Sequence, residues 1–141
     1  MSAQPLQQLT GLDALFLTQE AADTPMHIGL LMLYRPPGSS GAVVRFKDLL
    51  GTFRRRAHAA PVFYQTLGEV PFGMDYPFWL DARQLDIEFH LRHIALPRPG
   101  DWRQLCIQVA RLQARILDRS RPLWEAYIIE GLDNIDFLPA G

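Results

Sequence analysis

Eleven prolines and ten glycines punctuate this chain, and they limit what it can become. Proline fixes φ, lacks an N–H and disfavours helix in the residue before it, so each one ends or bends an element. Pro25, Pro36-Pro37-Gly38, Pro61, Leu96-Pro97-Arg98-Pro99-Gly100 and Arg121-Pro122 cut the sequence into short pieces. The longest apolar run, Ile28–Tyr34, holds seven residues. A helix that crosses a bilayer needs about 20, so no transmembrane segment is expected. Met1–Leu17 has neither a basic n-region nor a long apolar stretch and does not read as a secretory signal.

Each piece has its own periodicity. Asp13–Glu20, with Leu12, Leu15 and Phe16 apolar and Asp13 as N-cap, predicts a short helix. His27–Tyr34, uniformly apolar between breakers, predicts a strand buried on both faces. Arg35–Gly41 is a loop. Val43–Ala59 predicts a helix with Val43, Phe46, Leu49, Leu50 and Phe53 on one face. Phe63–Leu67 and Pro77–Leu80 predict short strands. Asp86–Ala95 alternates as a strand, with Asp86, Glu88, His90 and Arg92 on a wet face. Asp101 caps a helix through about Asp118, whose buried stripe is Trp102, Leu105, Cys106, Val109, Leu112 and Ile116. Leu123–Glu130 predicts a central strand, and turn and loop follow from Gly131. Helices alternate with strands, so the expectation is one α/β (α+β) domain with a mixed sheet and flanking helices.

Composition narrows the function. The formal charge is −1, from 14 basic and 15 acidic residues, which argues against nucleic acid as a partner. One cysteine, Cys106, excludes an internal disulfide and any multi-cysteine metal site; it reads as a core thiol. His90 and His93 would lie on opposite faces of a strand, so no metal site is expected. Arg54, Arg55 and Arg56 form the densest basic cluster and could contact phosphate or an anionic membrane surface; the plainer reading is a solvated helix face. No phosphate loop and no Gly-x-Ser-x-Gly elbow is present. Composition and spacing alone show no complete active site.

Four phrases carry a resemblance. They are Leu9-Thr10-Gly11-Leu12-Asp13-Ala14-Leu15-Phe16-Leu17 with Thr24-Pro25-Met26-His27-Ile28-Gly29, then Phe89 to Gly100, then Leu117 to Glu125, then Ile128-Ile129-Glu130-Gly131-Leu132. In this order they resemble the N-terminal portion of bacterial wax ester synthase/acyl-CoA:diacylglycerol acyltransferases, a family similar to chloramphenicol acetyltransferase and to condensation domains.

The resemblance implies two half-domains with a channel between them. It implies transfer of a fatty acyl group from coenzyme A to a long-chain alcohol or diacylglycerol, with acyl-CoA as substrate and no resident cofactor. It also implies a His-His-x-x-x-Asp-Gly signature whose second histidine is the general base. No two histidines are adjacent here. Residues 1–141 are therefore expected to be the N-terminal part of such an enzyme, inactive alone and partnered by the C-terminal remainder. The resemblance places Pro122-Leu123-Trp124 near the substrate channel, with His27 as the one histidine that could approach it. It also suggests a cytoplasmic protein, peripheral to a membrane or lipid inclusion. The competing class is a non-catalytic condensation-like interaction module.

Overall fold

A computed structural model describes residues 6–34, 45–133 and 135. Strand β1 (Gln7–Gln8) leads into helix α1 (Gly11–Gln19). The helix is started by Thr10, not Asp13. The Thr10 hydroxyl oxygen accepts from the Asp13 N–H at 3.2 Å, and the Asp13 carboxylate accepts from the Thr10 N–H at 3.2 Å, a reciprocal capping box. Gly11 and Leu12 thereby join the helix.

The segment Ile28–Tyr34 is not a strand. A strand needs a neighbour for its N–H and C=O groups, and among the described residues none pairs with it. The run is also not buried: Ile28 is 96% exposed and Leu30 81%. Arg35–Val44, including the expected loop and Val43, lies outside the described residues.

Helix α2 (Phe46–Arg56) keeps its apolar side half-buried and passes into a 3-10 turn, Ala57–Ala59. Strands β2 (Gln65–Gly68) and β3 (Phe78–Asp81) pair antiparallel, and β1 joins the other edge of β3, giving the order β1-β3-β2. Phe63, predicted to begin a strand, closes a 3-10 turn at Pro61–Phe63 instead, after proline at its first position.

The alternation over Asp86–Ala95 is misleading in its first half. Asp86 accepts the Phe89 N–H on its own side chain at 3.2 Å, and that local bond starts one helical turn, α3 (Ile87–His90). Strand β4 runs only over Leu91–Ala95. His90, predicted on a wet face, is 1% exposed as a result.

Helix α4 (Trp102–Gln113) starts as expected from Asp101, whose carboxylate accepts the Gln104 N–H at 2.9 Å. It stops five residues short of Asp118. Only Leu105 on its stripe is fully buried, at 2% exposed. Cys106 is exposed, and so are Trp102 and Ile116. Neighbouring helical positions diverge by about 100°, and the helix packs along the line of Leu105, so Cys106 points away.

Strand β5 (Ala126–Glu130) runs parallel to β4, from Leu91 opposite Ala126 to Ala95 opposite Glu130. The unit β4–α4–β5 is a parallel crossover. Leu123 and Trp124 precede the strand, which has a described neighbour on one edge only. The α/β class holds; among the described residues the strands lie in an antiparallel sheet and a separate parallel pair, not one mixed sheet. Gly100 (φ +69°) joins the two halves of this unit: a Cβ there would overlap the Gly131 carbonyl oxygen.

Candidate functional site

The segment Asp118–Trp124 is held from several directions. Asp118 accepts the Ser120 N–H at 2.9 Å and the Ser120 hydroxyl at 2.6 Å, and these bonds, the hydroxyl first, hold its carboxyl below the usual range. Arg119 reaches one side. Its Nη2 donates to the Leu17 carbonyl at 2.6 Å and to Glu20 at 3.0 Å, and its Nε donates to Glu20 at 3.3 Å. Arg121 reaches another. Its guanidinium lies 4.0 Å from the Phe89 ring centre, with Nε 3.3 Å from Asp118 and Nη1 3.9 Å from Asp86. Pro122 is delivered buried and Leu123 half-buried.

Trp124 is the centre of an aromatic group. Its Nε1 donates to the Phe63 carbonyl at 3.1 Å, and its carbonyl accepts from His90 Nδ1 at 2.7 Å. The His90 ring stacks on the indole at 4.6 Å, Phe53 of α2 stacks at 6.1 Å, and Phe63 meets it edge-on at 5.2 Å. An open cleft of about 320 Å³ lies beside this group, walled by Thr66, Leu80, Asp86, His90, Arg121 and Pro122 among others.

Behind the group, Glu125 takes a hydrogen bond from the Tyr127 hydroxyl and lies 3.9 Å from Arg92 and 3.8 Å from Arg115. Burial, then this bond to a carboxylate, raises the Tyr127 phenol above its ordinary value.

His27 stands elsewhere. Gln113 Nε2 donates to its carbonyl at 3.2 Å, and Glu20 accepts the Met26 N–H at 3.3 Å. Gly29 permits the first contact, since a Cβ would overlap Gln113 Oε1. The His27 Nδ1 is buried with no partner among the described residues.

The basic cluster is partly spoken for. Arg54 pairs with Glu88 and Arg55 donates to Thr52 at 3.1 Å, while all three arginines occupy the last turn of α2, where cations complement the helix dipole. His90 and His93 do not meet a common ligand: His93 stacks on Phe46 and faces Glu130 at 3.0 Å. Among the described residues no three His, Cys, Asp or Glu side chains gather as a metal set.

The order and spacing of these features can be set against known proteins. A family model described as the wax ester synthase/diacylglycerol acyltransferase catalytic domain matches residues 9–137. The chain belongs to that family. "Probable diacyglycerol O-acyltransferase tgs3" of Mycobacterium tuberculosis strain H37Rv is 43% identical over 127 residues, covering 90% of this chain and 46% of that protein. "Probable diacyglycerol O-acyltransferase tgs2" of strain CDC 1551 is 35% identical over 126 residues, covering 86% and 27%. The solved wax ester synthase/diacylglycerol acyltransferase of Marinobacter aquaeolei VT8 superimposes with a TM-score of 0.77 at 35% identity, over 91% of this chain and 30% of that one. The chain thus spans about half the length of tgs3 and about a third or less of the other two.

Sequence reading had singled out Pro122, Leu123, Trp124 and His27 for the wax ester synthase/diacylglycerol acyltransferase site. The structure sets Pro122 at the cleft and Trp124 against His90, and puts His27 apart beside Gln113. Around the Asp118–Trp124 segment it also brings Glu20, Arg119, Arg121 and His90, which that reading did not name. A cap signal was present for His90, because Asp86 stands three residues before Phe89.

Proposed function

We propose that this chain is the N-terminal part of an acyl-CoA-dependent O-acyltransferase that makes wax esters, triacylglycerol or both. Family membership over residues 9–137 carries this reading. In the reaction, the hydroxyl of a long-chain alcohol or diacylglycerol attacks the thioester carbonyl of a fatty acyl-CoA. The C–S bond breaks, coenzyme A leaves as the thiol, and the hydroxyl proton passes through a general base. The base belongs to a His-His-x-x-x-Asp-Gly motif supplied by the C-terminal remainder, since none of the four histidines here has a histidine neighbour.

This chain's role is scaffold and channel wall. Pro122, Leu123 and Trp124 form the wall, fixed by Arg119, Arg121 and His90, and His27 lines its approach. The remainder of the enzyme covers the apolar surface left open by Ile28–Tyr34 and by Leu12, Leu15 and Phe16 of α1. It also pairs with the edge of β5 that has no neighbour among the described residues.

No described helix is long and apolar enough to cross a membrane. Attachment to a membrane or lipid inclusion is peripheral in this reading, through the exposed Arg55 and Arg56. Arg54→Ala/Arg55→Ala/Arg56→Ala should then abolish a salt-sensitive binding to anionic vesicles; salt-insensitive binding would argue against it.

The activity is tested by following thiol release from palmitoyl-CoA with hexadecanol or dioleoylglycerol as the alcohol. The chain alone should release none. The polypeptide that continues through a His-His-x-x-x-Asp-Gly motif should release it only when the alcohol is present. Release by the isolated chain, or none by the longer polypeptide, would sink the reading.

A further inference from the structure

The turn that joins β2 to β3 carries its apolar side chains outward. Every residue from Pro71 to Tyr76 is exposed, with Phe72 at 96%, Met74 at 77% and Tyr76 at 49%. Phe72 also adopts φ +62°, the one non-glycine residue with positive φ among the described residues. That backbone is strained for a bulky side chain and persists only where something holds it. The turn is closed by the Gly73 N–H donating to the Val70 carbonyl at 3.0 Å. No internal packing offsets the strain, because the ring stands in solvent, and even a Cβ added at Gly73 would meet nothing within 4 Å. The turn spends strain to hold an aromatic ring away from the protein.

Position and charge indicate the partner. Gly68 opposite Phe78 is the last rung of the hairpin, and Gln65 opposite Asp81 is the first. Three steps of strand, about 10 Å, separate the tip from the base. The base is where Ala82 donates to the Tyr64 carbonyl and Trp124 to the Phe63 carbonyl. The tip thus projects away from the Trp124 group that precedes β5. Between Gly68 and Phe78 the only charged residues are Glu69 and Asp75. Two carboxylates without a cation are repelled by anionic headgroups. An aromatic side chain covers about 150–250 Å², so three such residues fall well short of the roughly 1,200 Å² of a stable protein interface. A lipid surface sets no such minimum. Phe72 and Met74 suit its apolar layer, and Tyr76 suits the boundary, where the hydroxyl stays wet. The backbone tolerates shallow entry: Pro71 and Pro77 have no N–H, Gly73 is bonded within the turn, and the Asp75 carboxylate accepts the Tyr76 N–H at 2.7 Å.

We propose that this tip is a lipid anchor, with Phe72 and Met74 entering the apolar layer of an uncharged lipid surface and Tyr76 at its boundary. The anchor differs in place and in lipid chemistry from a contact through Arg55 and Arg56, and it does not depend on the acyltransferase reading.

The test floats the 141-residue chain with triolein droplets coated with dioleoylphosphatidylcholine, in low and in high salt. Wild type should float equally in both. Phe72→Ser/Met74→Ser should bind at least tenfold more weakly, and Phe72→Leu should still bind. Leu30→Ser, an equal change at another exposed apolar residue, should alter binding less than threefold, as should Arg54→Ala/Arg55→Ala/Arg56→Ala. Circular dichroism of each variant should match wild type, since all these side chains face solvent. No flotation of wild type, flotation lost in high salt, or unchanged flotation of Phe72→Ser/Met74→Ser would overturn the proposal. So would flotation that disappears once the C-terminal remainder is bound, which would make the tip part of the contact between the two pieces. Flotation is read without ester formation, so a failure of the activity reading is seen separately.

Discussion

Replacing His90 by phenylalanine isolates one hydrogen bond in the middle of the aromatic group. The phenyl ring preserves the stack on Trp124 but cannot donate to the Trp124 carbonyl, which has no other described donor. A buried acceptor left without a partner costs about 1–3 kcal/mol. Alanine removes the ring as well, losing a stack worth roughly 0.5–1.5 kcal/mol and leaving a cavity, so its total should reach about 3–5 kcal/mol. The assay is urea unfolding of the chain followed by circular dichroism. With a slope of about 2 kcal/mol per molar urea, a 2 kcal/mol loss lowers the midpoint by about 1 M at constant slope. The expected order of stability is wild type, His90→Phe, His90→Ala. Loss of less than about 0.5 kcal/mol in His90→Phe would mean that the Trp124 carbonyl does not depend on His90.

Other parts of the fold make equally direct predictions. Gly100→Ala places a Cβ against the Gly131 carbonyl at a positive φ, and urea unfolding should show a loss of about 2–4 kcal/mol; a loss under 1 would show that the turn relaxes. Asp118 has a folded-state pKa below its unfolded value, so its contribution is present above about pH 4 and is lost as pH falls through the folded value. Asp118→Asn should therefore be less stable than wild type near neutrality and should lack part of the wild-type drop in acid, the two curves converging as pH falls. Tyr127 has a raised folded-state pKa, so its contribution holds below about pH 10 and fades as pH rises through the folded value. Ultraviolet titration should show one late-ionising phenol that Tyr127→Phe removes.

Legibility followed the range of the interactions. Asp101 and α4 could be read because a cap and its helix lie within four residues of each other. The Thr10 box was displaced by three positions for the same local reason, since Thr10 and Asp13 are both good caps and each bonds the other. Ile28–Tyr34 was misread because apolar content describes a strand's faces but not its partner, and pairing is non-local. His90 was misread because period-2 alternation competed with an Asp86 cap that wins within one turn. Cys106 was misread because a helical stripe drawn on sequence is wider than the line along which α4 packs. Pro122-Leu123-Trp124 could be named as candidates from the family phrases alone. The Glu20–Arg119 contact, 99 residues apart in the chain, could not.

The central claim is that these residues are the N-terminal wall of an acyltransferase whose general base lies in another part of the polypeptide. The measurement that meets it most directly is reconstitution. The chain is mixed with a separately expressed C-terminal remainder carrying the His-His-x-x-x-Asp-Gly motif, and radiolabelled palmitoyl-CoA is supplied with hexadecanol or dioleoylglycerol. Labelled ester should form only when both pieces are present, and should vanish when the second histidine of the motif is changed to alanine. A stable complex of the two pieces that forms no ester would contradict the account, as would ester formation that persists without that histidine.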